Sequence, residues 1–158
     1  STIVDRCFKA GALAVGASVK ITNIPGYLPI RHNSALQELF QRNCANMMGE
    51  SSVLVMPARR NRGGSTDMGD LSQIIPSCHP YTSGAVGAGH SKEYLITDYE
   101  SAVVNPAKIM AMVAIDLLSD GAAKGNEVIS NHRPAMKKDA YLRFQRERAE
   151  VIEYDGSR

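Results

Sequence analysis

Ile3, Val4, Cys7, Phe8, Gly11, Ala12 and Val15 recur at helical spacing, while Asp5, Arg6 and Lys9 fall on the other side. That pattern predicts an amphipathic helix with almost no lead-in. Gly16 is placed to cap its end. Residues 18–24, SVKITNI, then alternate as a strand does, with Val19, Ile21 and Asn23 on one face. A helix and a single strand cannot bury their own faces. The partners of this unit are therefore either missing or supplied by another segment.

Pro25, Gly26 and Pro29 end the strand and make a stiff connector, a candidate hinge between domains. Asn33 or Ser34 then caps a second helix reaching about Met48, with Leu36, Leu39, Phe40, Cys44 and Met47 as its apolar stripe and Gly49 as its stop. Residues 53–56, VLVM, are wholly apolar and β-rich, which predicts a buried strand. Pro106 precedes a strongly apolar helix over 107–118, whose near-continuous hydrophobicity predicts burial against a sheet. Gly121 and Gly125 bracket a short helical link. After Pro134 a last helix is expected from Lys137 to about Ile152. Its Arg143, Arg146 and Arg148 alternate with Glu147 and Glu150, the mark of a solvated face rather than a nucleic-acid patch.

The chain is organised around residues 63–90, GGSTDMGDLSQIIPSCHPYTSGAVGAGH. Ser65, Thr66 and Asp67 suit a turn or a helix start, because their side chains bond neighbouring backbone N–H groups. Gly84, Gly87 and Gly89 lead a Gly-rich run into His90, and glycine lets a ligand approach the main chain. The same residue types also cluster in ordinary surface turns. Neither GxxxxGK[ST] nor a helix-opening GxGxxG occurs, so the known phosphate-loop patterns are excluded.

Composition narrows the function classes. With 158 residues, 44% hydrophobic and 22% charged, the chain suits one globular domain or a piece of a larger one. A net charge of +2 gives no case for nucleic acid or an anionic membrane as partner. No run of the sequence reads as a membrane span, and no basic-then-apolar leader is seen. Three cysteines at unrelated spacings predict free thiols and a cytoplasmic location. Arg59, Arg60 and Arg62 read as a solvated loop, or alternatively as a clamp for a substrate carboxylate.

A catalytic zinc site typically uses three protein ligands and leaves a position for water. Of the four histidines, His32 and His132 are expected at the surface, and His79, after an apolar segment, in the core or orienting a ligand. His90 ends a loop able to swing into a cleft and is the best ligand candidate. No HExxH and no Cys/His quartet accompanies it.

The series GSTDMGD (64–70), IIPSCHPY (74–81), GAVGAGH (84–90) and VVNPAKIMAM (103–112) resembles the C-terminal part of the aminoacylase/carboxypeptidase family of metal-dependent amidohydrolases, in particular its dipeptidase-like branch. IPGYLP (24–29) resembles the segment leading from that branch's lid domain back to its catalytic domain. The resemblance runs from near Ser1 to about Leu118. It implies an α/β fold: the returning half of a zinc-peptidase-like catalytic domain, a sheet flanked by helices, preceded by the last helix and strand of a ferredoxin-like lid. Residues 1–30 would end the lid and 31–158 would form the C-terminal half of the catalytic domain with an exposed C-terminal helix.

By the same resemblance, His90 matches a metal ligand, and Gly64, Ser65 and Thr66 match the turn lining the substrate pocket near its carboxylate end, with Asp67 fixing the turn. The family implies two divalent metal ions, expected to be zinc, a small-molecule amide substrate, and a homodimer formed through the lid. Its His-x-Asp motif, its Glu-Glu pair and its further acidic ligand have no counterpart here; Glu38, Glu50 and Glu93 are single acids. The expectation is a C-terminal fragment of an enzyme hydrolysing a dipeptide or N-acyl amino acid, inactive alone. The rival is a non-catalytic binding or assembly module that keeps the fold.

Overall fold

A computed structural model describes residues 2–56 and 66–157. In chain order the elements are α1 (Thr2–Val15), β1 (Ser18–Asn23), α2 (Ser34–Met48), a 3₁₀ turn (Glu50–Ser52), α3 (Asp67–Leu71), β2 (Ala85–Val86), β3 (Leu95–Ile96), a π turn (Glu100–Val104), α4 (Asn105–Asn131), α5 (Lys138–Arg148) and β4 (Glu150–Asp155). The architecture is mixed helix and sheet, with two antiparallel two-stranded sheets, β1–β4 and β2–β3. Residues 1–27 and 136–158 form one compact unit and residues 28–135 a second. The sequence-based division falls instead at residue 30, and the C-terminal segment assigned to the second part lies in the first unit.

In the first unit the missing partner of β1 is supplied from the far end of the chain. Ser18 pairs with Asp155, Ile21 with Ile152 and Asn23 with Glu150. The last helix was expected to reach Ile152, but it ends at Arg148. Residues 150–155, EVIEYD, place Ile152 and Tyr154 at alternate, half-buried positions and join the edge that β1 offers. Gly16, at φ 65°, turns the chain after α1, and the Ala17 N–H donates to Ala12 O at 2.9 Å.

Helix α1 forms as the spacing predicts, yet its buried residues are only Asp5, from the polar side, and Ala12, from the apolar stripe. Ile3, Val4, Phe8 and Val15 of the apolar stripe are exposed by half or more.

In the second unit Asn33 caps α2 by accepting the Leu36 N–H at 3.1 Å, and Gly49, at φ 90°, ends it. The core is a small cluster of Leu39, Ile109 and Val113, with Leu36, Phe40, Cys44, Met47 and Leu117 packed around it. This corrects the expectation of a helix buried against a sheet. Only one face of α4 is covered, and α2 covers it, while Met110, Ile115 and Leu118 on the other side are exposed. Residues 53–56 are likewise not a strand. A wholly apolar run suits a strand with neighbours on both edges; nothing among the described residues pairs with this one, and Leu54 is 81% exposed.

By length and composition the helical stretch Glu100–Asn131 is able to cross a membrane, contrary to the sequence expectation. It is not continuous, however: Ser119 leaves the helical range, and Asp120, Gly121 and Ala122 take positive φ. That break includes Gly121, one end of the link expected over 121–125, but the helix resumes within the expected link and runs to Asn131.

Candidate functional site

Thr66 begins α3 in extended conformation, φ −153° and ψ 155°, as its N-cap. Its hydroxyl donates to Asp67 Oδ1 at 2.9 Å, and Asp67 Oδ1 accepts the Met68 N–H at 2.9 Å. Asp67 thus fixes the turn locally, by the short-range bonding that places such residues at helix starts. Gly64 and Ser65, the other two candidate substrate contacts, lie outside the described residues, as do Arg59, Arg60 and Arg62.

Beyond Thr66, helix α3 is bound to the connector. Asp70 Oδ1 accepts the Leu28 N–H at 2.9 Å, Ser72 Oγ accepts the Arg31 N–H at 2.9 Å, and Gln73 Nε2 donates to Pro29 O at 2.7 Å. Ser72, Gln73 and Ser77 are buried. The Asn33 N–H donates to Ser77 O at 2.8 Å. Leu28 and Pro29, at the end of the connector, and Arg31 after it are thus held within the second unit. Sequence reasoning missed Asp70, Ser72 and Gln73. Their one signal is three polar residues within four positions at the end of a short helix and just after it, and their partners lie some forty residues upstream.

The same contact region gathers two histidines. The His79 N–H donates to His32 Nδ1 at 3.4 Å, and the His79 ring lies 5.4 Å from the Tyr81 ring, tilted by 47°. Burial and then the neighbouring His79 hold the His32 pKa below its usual value. Cys78 beside them is pushed up by burial, which keeps it a thiol. All three cysteines are free. His132, expected at the surface, has a buried Nε2.

His90 lies in the loop joining β2 to β3, exposed and at φ 65°. Ala85 pairs with Ile96 and Val86 with Leu95, so this short ladder sets where the loop begins and ends. Gly84, at φ 101°, accepts the N–H groups of Thr97 and Asp98 on its carbonyl. A Cβ there would lie 2.5 Å from Asp98 O and 2.8 Å from Ala102 N, so only glycine brings the loop base this close to the π turn. The Ser101 hydroxyl and N–H hold Asp98 below the usual carboxylate range.

Among the described residues no group of three or more His, Cys, Asp and Glu is disposed to hold a metal ion. A lone exposed imidazole does not make a catalytic zinc site. The residues present therefore do not fit a metal centre on their own, and no chemical step is derived through one. Thr66 and His90 sit on separate elements, and neither belongs to the two surface clefts along α2, one lined by Glu38, Arg42 and Val55, the other by Asn33, Lys124 and Glu127.

The chain is similar to Xaa-Arg dipeptidase from Homo sapiens, 29% identical over 124 residues, which cover 72% of this chain and 27% of that protein. It is also similar to Xaa-Arg dipeptidase from Mus musculus, 30% identical over 124 residues, covering 72% of this chain and 28% of that protein. The chain thus spans little more than a quarter of the length of these curated relatives. The similarity supports a peptidase- or amidohydrolase-like relationship. No protein-family model matches the chain, and no solved structure does.

Proposed function

We propose that these 158 residues are the C-terminal part of a metal-dependent amidohydrolase that cleaves the amide bond of a dipeptide or an N-acyl amino acid. The observation carrying this reading is the similarity to Xaa-Arg dipeptidase over 124 residues, which agrees with the ordered motifs from Gly64 to Met112. On this reading Thr66, with Gly64 and Ser65, meets the substrate carboxylate, and His90 is one ligand of a site for two divalent ions, zinc by preference. The remaining ligands and the general base lie outside these residues, which accords with the absence of any ligand cluster around His90 among the described residues. The uncovered faces of α1 and α4 and the unpaired 53–56 run fit the same reading, since large apolar surface calls for a partner.

The product of the complete reading frame, loaded with zinc, should hydrolyse Xaa-Arg dipeptides or N-acyl amino acids, and the 158-residue chain alone should not. Hydrolysis by the chain alone would overturn the division of the site. Absence of hydrolysis by the complete, metal-loaded product would favour a non-catalytic module.

A further inference from the structure

Between its two arms α4 contains a left-handed turn. Asp120, Gly121 and Ala122 stand at φ 51°, 65° and 62°, with ψ of 47°, 28° and 33°. Left-handed residues occur singly and are mostly glycine, because a Cβ crowds the following carbonyl. Here two of the three carry one, and alanine is the residue that most favours the right-handed helix. No proline lies between Pro106 and Pro134, so nothing in the sequence forbids a right-handed helix across 119–122. The bend is therefore imposed by what the arms touch. The arm over 105–118 is fixed: Ile109 and Val113 pack with Leu39, and Asp116 takes bonds from Asn43 and Arg42. The arm over 123–131 is held differently. Among the described residues, none of its side chains has a hydrogen bond or ion pair reaching outside the arm; Lys124 pairs with Glu127, and Ser130 Oγ donates to Glu127 O. What seats it is Val128, buried and lining a cleft with Asn33, Ser34 and Ala35 at the start of α2. Gly125 assists, because a Cβ there would come within 2.8 Å of Leu117 O. Apolar burial of this kind is non-directional and tolerates displacement.

We propose that residues 119–122 are a two-state hinge and residues 123–131 a strap. In one state the strap lies on the start of α2; in the other the hinge turns right-handed and α4 runs unbroken from 105 to 131. Each state carries one penalty. The bent chain buries Val128 but holds Asp120 and Ala122 left-handed. The straight chain relieves both residues but exposes Val128, and it opens the cleft lined by Asn33, Glu38, Lys124 and Glu127. Straightening also lengthens an apolar stripe. Ala111, Ile115 and Leu118 are exposed on the fixed arm, and the same steps of three and four residues continue through Ala122, Gly125 and Ile129. The bend interrupts that stripe after Leu118, so the strap sets whether α4 presents a short apolar face or a long one.

The test is made on the isotope-labelled 158-residue chain, by backbone chemical shifts and by relaxation dispersion, which reads exchange on the μs–ms scale. A Cβ at position 121 would meet nothing within 4 Å, so Gly121→Ala acts through backbone conformation alone. It should move the ratio of bent to straight about tenfold toward straight, with the carbon shifts of 119–122 moving toward right-handed helix. Ala122→Gly should favour the bent state by a similar factor, about tenfold, and suppress the exchange. Val128→Ala should act in the same direction as Gly121→Ala while leaving the hinge sequence intact. In both, the amides of residues 33–35 should move with the hinge, and the Asn43 side-chain amide should keep its place. Should Val128→Ala fail to fold, Gly121→Ala, at an exposed position, carries the test. Left-handed shifts kept by Gly121→Ala, without exchange, would make the bend a fixed turn and overturn the hinge. Random-coil shifts over 119–131 would overturn it as well, since the strap would then fray instead of joining the helix.

Discussion

The Asn43 side-chain amide donates to Asp116 Oδ2 over 2.7 Å and so ties α2 to α4. Arg42 reaches the same oxygen at 2.9 Å. The two bonds lie beside the Leu39, Ile109 and Val113 cluster and set the register in which these helices face each other. With Asn43 buried, its amide has in Asp116 the acceptor that a buried donor requires.

The bonds from Asn43, and then from Arg42, hold Asp116 below the usual carboxylate range of about 3.9. A carboxylate with a depressed folded pKa contributes stability that is fully present above the unfolded pKa and lost as pH falls through the folded one. The gap in Tm between the parent and Asp116→Asn should therefore be widest near neutral pH and close as pH drops below about 4. Calorimetric melts across that range check it. A gap that does not change with pH would mean that the ionised form is not what Asn43 and Arg42 favour.

Leu39→Ala should cost about 2–5 kcal/mol, since its side chain is 2% exposed at the centre of the cluster. Leu118→Ala, at 72% exposure, should change stability by less than about 0.5 kcal/mol in the same chain. Urea denaturation of the two variants makes the comparison. Equal losses would mean that the outer face of α4 is covered in solution.

His32 Nδ1 accepts the His79 N–H only while it is unprotonated. Because its folded pKa lies below the unfolded value of 6.5, the unfolded chain takes up the proton first. This contact therefore gains stability as pH rises from the folded pKa to about 6.5 and is constant above it. The His79 amide resonance should shift as pH falls from about 7.5 to 5 and should follow the His32 titration. In His32→Ala that shift should vanish. Persistence of the shift in the variant would assign it to another group.

Zinc should bind the 158-residue chain weakly, because His90 has no ligand partners among the described residues. Isothermal titration calorimetry should show no tight stoichiometric site, and His90→Ala should change the trace little. Tight binding abolished by His90→Ala would reveal a complete site within the chain.

Local features were legible in the sequence wherever a residue acts on its own neighbours. Asn33 caps α2, Gly16 and Gly49 end helices, Thr66 opens α3 and Gly121 interrupts α4, all through contacts within a few positions. Patterns that name only a burial requirement proved ambiguous. The VLVM run states that residues 53–56 prefer cover on both faces, but not that the cover is present. The α1 stripe shows which side is apolar, and the structure leaves Ile3, Val4, Phe8 and Val15 of that side in solvent. Least legible was the attachment of α3, where Gln73 and Asp70 meet main-chain atoms of residues 28 and 29 that have no side-chain signature. The strand at 150–155 was missed for a related reason. Its charged flanks continue the helical pattern of α5, and only β1, more than a hundred residues earlier, makes it a strand.

That pairing also constrains how the protein is made. Ser18 and Asp155 are 137 positions apart in sequence and adjacent in space, so α1 and β1 leave the ribosome long before β4 exists. At a synthesis rate of about 5–20 residues per second, the wait is on the order of 10 s. The intervening residues 28–135 form a compact unit of their own, while α1 and β1 meanwhile keep an open strand edge and an exposed apolar helix face. An open edge of this kind invites pairing with other chains. Among these residues β1 is accordingly the segment with most need of a chaperone during synthesis, and loss of residues 151–157 would leave its edge open.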